Sequence, residues 1–407
     1  MALLQGAGFA LSLEGDGDGI VGAEFDPPAI RAIDELHHLC IRASASDMHL
    51  EPTQTGGRVR ARIDGTLREL REVPSALFGQ IVSRIKLLSG MDIADKRQPQ
   101  DGRYQIDHER GAIDARVSSM PTMLGEKLVV RFLDLQARIP GLCDLGLPQP
   151  LFERYRELVH APNGLIVVCG PTGSGKTTTL YASLSDRSVQ TEHLCSIEDP
   201  VEARIGGVVQ VQVNARAGLT FAVALRSFLR QDPDVIMVGE MRDQETAAVA
   251  MSAALSGQLV MTSLHSSDAP RTIERLLELG VPRHALAAGL SGVLAQRLVR
   301  RLCEACKVAR AIIADEPALL GLPRDAFVYD PVGCTRCAFS GYRGRIGVFE
   351  GFTVTREMRS KIAVAGSSID VHQLATEDGF LSMRAQALEY VAAGATSPSE
   401  VRRVIAS

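Results

Sequence analysis

The stretch Gly170-Pro171-Thr172-Gly173-Ser174-Gly175-Lys176-Thr177 has the pattern G-x-x-x-x-G-K-[ST] and follows directly on the apolar run Leu165-Ile166-Val167-Val168-Cys169. It predicts a buried strand, a glycine-rich turn and a helix in that order. Glycines at 170, 173 and 175 let successive backbone N–H groups turn inward around a polyphosphate. The helix opening near Lys176 adds the positive end of its dipole. Lys176 is placed to reach the β- and γ-phosphates, and the Thr177 hydroxyl to ligate Mg²⁺. The competing reading is a chance match in a chain with 37 glycines. The apolar strand before the loop and Thr178-Thr179-Leu180-Tyr181 after it favour the phosphate loop, so Gly170 to Thr178 are the expected nucleoside triphosphate contacts.

A phosphate loop of this kind needs carboxylates, because Mg²⁺ takes oxygen ligands and an attacking water must be oriented. Two acidic segments end apolar runs: Ser196-Ile197-Glu198-Asp199-Pro200-Val201-Glu202, and Val235-Ile236-Met237-Val238-Gly239-Glu240-Met241-Arg242-Asp243. Ligands of open α/β sheets bind at the carboxyl ends of strands, which makes Glu198 and Glu240 candidates. An acid there is also a common helix cap, and Asp243 fits that reading equally well. His265, in Thr262-Ser263-Leu264-His265, ends a third such run. A lone histidine is usually structural, but this one stands beside the other strand ends.

The rest of the 407-residue chain bounds the setting. Its length suggests about two to four domains, and 45% hydrophobic content is ample for buried cores. With 44 basic and 48 acidic side chains the net charge is −4, so no global field draws the protein onto nucleic acid or anionic lipid. No apolar run approaches the roughly eighteen residues that span a bilayer. The N-terminal stretch lacks a basic region before its apolar residues and runs into Glu14-Gly15-Asp16-Gly17-Asp18-Gly19. It reads as a flexible leader over 1–28 and not a signal peptide, so a cytosolic protein is expected.

From Ala29 to Ile41 apolar residues recur at three and four, predicting a helix. Short alternating segments follow, Met48 to Glu51 and Val59 to Asp64, with Gly56-Gly57 between them as a hairpin signal. A helix from about Leu77 to Leu88 and strands at Tyr104 to Asp107, Ile113 to Val117 and Lys127 to Phe132 complete an α+β unit over 29–141. From about Leu151 strands and helices alternate, as a parallel sheet requires, with strands at Leu165 to Cys169, Leu194 to Ile197, Val235 to Val238 and Leu259 to Thr262, each followed by a helix. The second unit is placed at 142–407, with a cysteine-bearing insertion at 303–341 and a helical part over 342–407 that includes Val371 to Ala393.

Eight cysteines in a chain this long do not make a disulfide scaffold. Cys40, Cys143, Cys169 and Cys195 sit in apolar surroundings and read as core residues. The other four form Cys303-Glu304-Ala305-Cys306 and Cys334-Thr335-Arg336-Cys337, two C-x-x-C pairs with 27 residues between them. Two such knuckles supply the four soft donors of tetrahedral Zn²⁺, and a site filled by protein ligands is structural, not catalytic. Free thiols or a redox pair are the alternative.

This order of motifs resembles the secretion ATPases of type II secretion and type IV pilus assembly, nearest to the general secretory pathway protein E group. The resemblance runs from about residue 29 to the C-terminus. It rests on the phosphate loop, Ile197 to Glu202, Gln210-Val211-Gln212-Val213-Asn214, Ala217-Gly218-Leu219-Thr220-Phe221, Leu229-Arg230-Gln231-Asp232-Pro233-Asp234, Val238 to Asp243 and Leu264-His265. Upstream it includes Ala45-Ser46-Asp47-Met48-His49-Leu50-Glu51-Pro52 and Gln100-Asp101-Gly102-Arg103. It implies an α/β fold: a RecA-like P-loop motor domain preceded by a smaller α+β, PAS-like domain and carrying a four-cysteine zinc insertion. ATP and Mg²⁺ would lie between the two domains in a homo-hexamer on the cytoplasmic face of the inner membrane, working with the platform proteins there.

In this likeness Glu240 stands for an atypical Walker B glutamate, Glu198 for the acidic-box residue that helps place Mg²⁺ and the attacking water, and His265 for a γ-phosphate sensor. Arg103 and Arg116 resemble arginines that reach the phosphates from the first domain, where a guanidinium would neutralise charge growing on the transferred phosphoryl. Gly341-Tyr342-Arg343-Gly344-Arg345 also matches, and the cysteine module separates assembly and secretion motors from retraction motors. The resemblance implies a further N-terminal docking domain in secretion members, and only about 28 residues precede the matched region, which puts the usual route to the membrane in question. Gln258 stands where a histidine is common, and Ser266-Ser267 where threonine and asparagine are usual; both are mild changes that should leave hydrolysis intact. The expected function is ATP hydrolysis driving pseudopilus assembly for protein export, with pilus extension as the alternative. A zinc-bearing, nucleotide-switched nucleic-acid adaptor is opposed by the acidic balance and by only 18 aromatic residues, 12 Phe and 6 Tyr.

Overall fold

In this computed structural model residues 28–108, 111–133, 138–313, 323, 326–364 and 382–405 are described. The first unit contains α1 (Pro28–Arg42), β1 (Asp47–Thr53), β2 (Gly56–Ile63), β3 (Thr66–Pro74), α2 (Ser75–Leu88), β4 (Gln100–Ile106), β5 (Ile113–Thr122) and β6 (Gly125–Leu133). Its six strands form one antiparallel sheet in the order β3-β2-β1-β6-β5-β4. Alternation along the strands sends Met48, Leu50, Val59, Ala61, Ala115, Val117, Leu128 and Val130 to one face. There they bury against Ile33, Leu36 and Cys40 of α1 and Ile81 and Ile85 of α2. The other face is charged, and the cross-strand register lines up Arg62, Asp47, Arg131, Arg116 and Arg103 in one row.

Two expectations need correction in this unit. The β1–β2 turn is made by Gln54 and Thr55, while Gly56 and Gly57 lie inside β2. A Cβ on Gly57 would stand 1.9 Å from the Phe78 ring, so that glycine serves packing and not the turn. Strand β3 was not expected at all, although Asp64-Gly65, both at positive φ, is the sequence signal of a tight hairpin.

The second unit is built on a seven-stranded sheet, order β15-β12-β7-β11-β10-β8-β9. Strands β7 (Gly164–Cys169), β8 (Leu194–Glu198), β10 (Val235–Val238) and β11 (Leu259–Leu264) are buried along their whole length, which is why they read as unbroken apolar runs. They pair in parallel with β9 (Val209–Gln212) and the first half of β12 (Leu290–Leu302), and β15 (Tyr342–Thr353) closes the edge antiparallel to β12. Helices α3 (Gln149–Val159), α4 (Lys176–Ser185), α5 (Phe221–Phe228), α6 (Gln244–Ser256), α7 (Arg271–Glu278) and α8 (Arg283–Gly289) join or flank the strands.

A helix was expected after every parallel strand, but β8 is followed by the Asp199–Val208 loop and by β9 before α5 begins. Cys143, expected in the core, is exposed, whereas Cys40, Cys169 and Cys195 are buried. Between the cysteine pairs lie β13 (Lys307–Ala311) and β14 (Phe327–Pro331), paired antiparallel. The helical part expected over Val371 to Ala393 is a helix at Met383–Ala392; residues 371–381 lie outside the described residues, as does the 1–27 leader. A last helix, Pro398–Ile405, docks on β12 through the buried Glu400. Its carboxylate accepts from Arg300 Nη2 at 2.7 Å and Arg403 Nη2 at 2.6 Å. Burial alone would raise this carboxyl, but the Arg403 and Arg300 hydrogen bonds overcome it and hold it at about 2. The first unit touches the second at the cysteine module, where Gly344 N donates to Asp64 Oδ2 at 2.9 Å and Arg68 Nη1 to the Cys337 carbonyl at 3.4 Å.

Candidate active site

The parallel register brings the carboxyl ends of four strands level. Cys169 of β7 pairs with Leu264 of β11, and Val238 of β10 with Thr262 of β11 and Ile197 of β8. The phosphate loop, His265, Glu240 and the acidic segment after Glu198 therefore emerge side by side. Gly175 caps α4 in the left-handed region (φ 90°), and a Cβ on Gly170 would meet the Gln296 carbonyl at 2.4 Å; both positions demand glycine. The first N–H groups of α4 have no intrahelical acceptor, and the buried Ser174 Oγ has no hydrogen-bond partner. This cradle fits a polyphosphate.

Lys176 Nζ donates to the carbonyls of Gly170 at 2.9 Å and Pro171 at 3.1 Å. Burial lowers its pKa, opposed by the charges of Cys169, Glu240 and Glu202. Thr177 Oγ1 donates to Glu202 Oε1 at 3.4 Å. Burial, reinforced by Glu198, raises the Glu202 pKa, while Thr177, Arg131 and Lys176 pull it down.

Glu198 is the last residue of β8. It is 2% exposed, and its oxygens accept from Ser196 Oγ at 2.7 Å, Gln210 Nε2 at 3.1 Å and the Tyr181 hydroxyl. The same hydroxyl accepts the backbone N–H of Glu202 at 3.0 Å and of Ala203 at 3.3 Å. Glu198 thus anchors Tyr181, and Tyr181 sets the segment from which Glu202 reaches Thr177. Glu202 lies in the acidic segment the sequence singles out, but its contact with Thr177 and its tie to Tyr181 need the fold of the loop after β8.

Glu240 is bound by Arg242 Nη2, and His265 Nε2 lies 3.7 Å from its other oxygen. Arg242 Nη1 also lies 3.6 Å from Asp199, so one guanidinium ties the two acidic segments together. Burial and the nearby Lys176 lower the His265 pKa against the pull of Glu240. Asp243 is a helix cap: its carboxylate accepts from Thr246 N at 2.8 Å.

Arg103 and Arg116 are cross-strand partners on the charged face of the first sheet, and Arg116 pairs in turn with Arg131. Burial lowers the Arg116 pKa, and the Asp199 charge opposes it. Arg131 is held by Asp47 at 3.0 Å, and its charge is one of those that pull the Glu202 pKa down. It was missed because nothing but the register puts it beside the expected pair.

The sulfurs of Cys303, Cys306, Cys334 and Cys337 all lie within 4.8 Å of one another, and the Cys303–Cys334, Cys306–Cys337 and Cys334–Cys337 edges are 3.9, 3.8 and 3.8 Å. Four donors about 2.3 Å from a central zinc would have edges of about 3.8 Å, so the set fits Zn²⁺. Burial would raise the Cys337 thiol, but the N–H groups of Cys334 and Gly341 and the neighbouring sulfurs bring it down to about 6.

The profile of the Type II/IV secretion system protein family matches residues 23–403. The chain is 43% identical over 377 residues to the Type II secretion system protein HxcR of Pseudomonas aeruginosa, covering 93% of this chain and 77% of that one. It is 42% identical over 388 residues to the Type IV pilus assembly ATPase PilB of Acinetobacter baylyi, covering 93% and 66%. Among solved structures it resembles the pilus retraction motor PilT with bound ADP, with a TM-score of 0.55, 25% identity and coverage of 91% and 99%.

Proposed function

The chain belongs to the Type II/IV secretion system protein family and is an ATP-hydrolysing secretion ATPase, and from that premise we propose that it is the hexameric motor of pseudopilus assembly for protein export. Supporting this is one observation above the others: a phosphate loop, two carboxylates and a histidine meet at adjacent strand ends. ATP would bind along Gly170–Thr178, with Mg²⁺ on Thr177 and Glu202. Glu240 orients the attacking water, His265 senses the γ-phosphate, and Lys176, Arg103, Arg116 and Arg131 meet the charge that grows on the transferred phosphoryl. Glu198 acts through Tyr181. Cys303, Cys306, Cys334 and Cys337 hold a structural zinc.

The finer fold reading is a RecA-like motor over 142–407 and a PAS-like unit over 29–141. It is supported by the parallel order around β7 and by a helix-covered antiparallel sheet with its first and last strands adjacent at the centre. No described helix is long and apolar enough to cross a membrane. We place the motor on the cytoplasmic face of the inner membrane, against platform proteins.

Lys176→Ala or Glu240→Gln should abolish phosphate release, and normal turnover in either variant overturns the catalytic assignment. Pilus extension is the second reading, since a relative named for pilus assembly matches almost as well as one named for secretion. Deleting the gene in its host and scoring released proteins and pilus function together separates them: lost exoproteins with intact pili support the secretion motor, and the reverse supports pilus extension.

A further inference from the structure

We propose that Gln296 is a positioning residue of the nucleotide site: its side-chain amide fixes the Ser174–Gly175 peptide and so aims the Gly175 N–H at the polyphosphate. This rests on the nucleotide-binding reading above. Gln296 lies in β12 and is 2% exposed. Its Nε2 donates to the Ser174 carbonyl at 2.7 Å, and its Oε1 accepts from Thr179 Oγ1 at 2.7 Å. Chemistry alone sets this orientation of the amide, because a carbonyl can only accept.

In a trans peptide the C=O and N–H point in opposite directions. Tying the Ser174 carbonyl to β12 therefore turns the Gly175 N–H away from β12, toward the concavity of the loop. Glycine itself does not fix that orientation. Gly175 is already at φ 90°, where a residue without Cβ flips its peptide at little cost, so an external tie is needed. Gln296 supplies it and fastens it to Thr179, one turn into α4. Its backbone carbonyl also abuts Gly170 at the other end of the loop, so one residue of β12 braces both ends.

The test uses the full chain, a fluorescent ADP analogue with Mg²⁺, and two variants. Gln296→Met keeps the bulk and loses the donor, while Gln296→Glu keeps the shape but can donate only when protonated. At pH 8 both should bind the analogue about tenfold or more weakly than the parent, the loss expected for a hydrogen bond to a charged group. KM for ATP should rise in step while kcat changes by less than about threefold, because the contact is made to bound substrate and transition state alike. As pH falls from 8 to 6, the deficit of Gln296→Glu relative to the parent should narrow, since a buried carboxyl protonates early. That of Gln296→Met should stay constant. A purely packing role would spare Gln296→Met and leave the Gln296→Glu ratio flat with pH, and either result overturns the proposal. If Gln296→Glu fails to fold, Gln296→Met decides alone. A parent that itself binds no analogue sinks the nucleotide reading, and with it this one; a parent that binds while Gln296→Met binds equally sinks this one only.

Discussion

At the nucleotide site the working groups come from the ends of β7, β8, β10 and β11 and from β12, and the contacts that join one element to another span long stretches of sequence. Thr177 meets Glu202 across 25 residues, and Gln296 meets Ser174 across 122. At the cysteine cluster each half is a local knuckle, Cys303 to Cys306 and Cys334 to Cys337, and only the join between halves is long-range. The first arrangement is held by the packed sheet, and the second by the β13–β14 pair together with the sulfurs themselves. Strand β12 connects them: Gln296 braces the phosphate loop, and Cys303 follows its last residue, Leu302. A packed sheet lets the site lose a side chain and keep its shape, whereas four thiolates brought together repel one another unless a cation joins them.

The largest effect expected from that contrast is at Glu202. Glu202→Gln should lower Mg²⁺-dependent phosphate release about a hundredfold with the thermal midpoint nearly unchanged, an effect of the size seen when one transition-state group is removed. A stability loss of matching size would break the contrast. Next comes chelation or Cys303→Ser, which should cost one zinc per chain and several kcal/mol of stability, read by metal analysis and denaturant titration. ADP affinity should then fall by less than about threefold, and a parallel collapse of affinity would show that β12 transmits the damage.

Tyr181→Phe should be smaller and mixed. Removing the hydroxyl strips a donor from the buried Glu198 and an acceptor from two N–H groups, for about 1 to 3 kcal/mol, with a fall in turnover below that of Glu202→Gln. The smallest effect is acid sensitivity at Glu400. Its folded pKa, about 2, is depressed from 4.5, so the stability it lends is complete above pH 4.5 and is lost as pH falls toward 2. The acid limb of a stability curve should be shallower in Glu400→Gln, and an unchanged limb would remove the pair from the account.

Much of the site could be read from the chain because its parts have local signatures. The phosphate loop needs glycines at fixed spacing, the cysteine pairs need two residues between thiols, and fully buried parallel strands leave apolar runs that stop where Glu198, Glu240 and His265 begin. What stayed hidden depends on register or on packing. Strand β12 mixes Gln296, Arg297, Arg300 and Arg301 with leucines and valines and carries no clean period of two, since its neighbours and not its sequence make it a strand. Arg131 is one arginine among many until β5 and β6 are aligned. Gly56 and Gly57 suggested a turn because nothing in the sequence tells that Phe78 will sit above them.

The hydroxyl shared by Glu198 and the Glu202 segment has a meaning for how such a chain can drift. A phenylalanine at 181 leaves a buried carboxylate short of a donor, and a neutral residue at 198 leaves the tyrosine without its anchor, so each change alone is penalised. Positions 181 and 198 behave as one heritable unit, and substitutions there should arrive together or not at all.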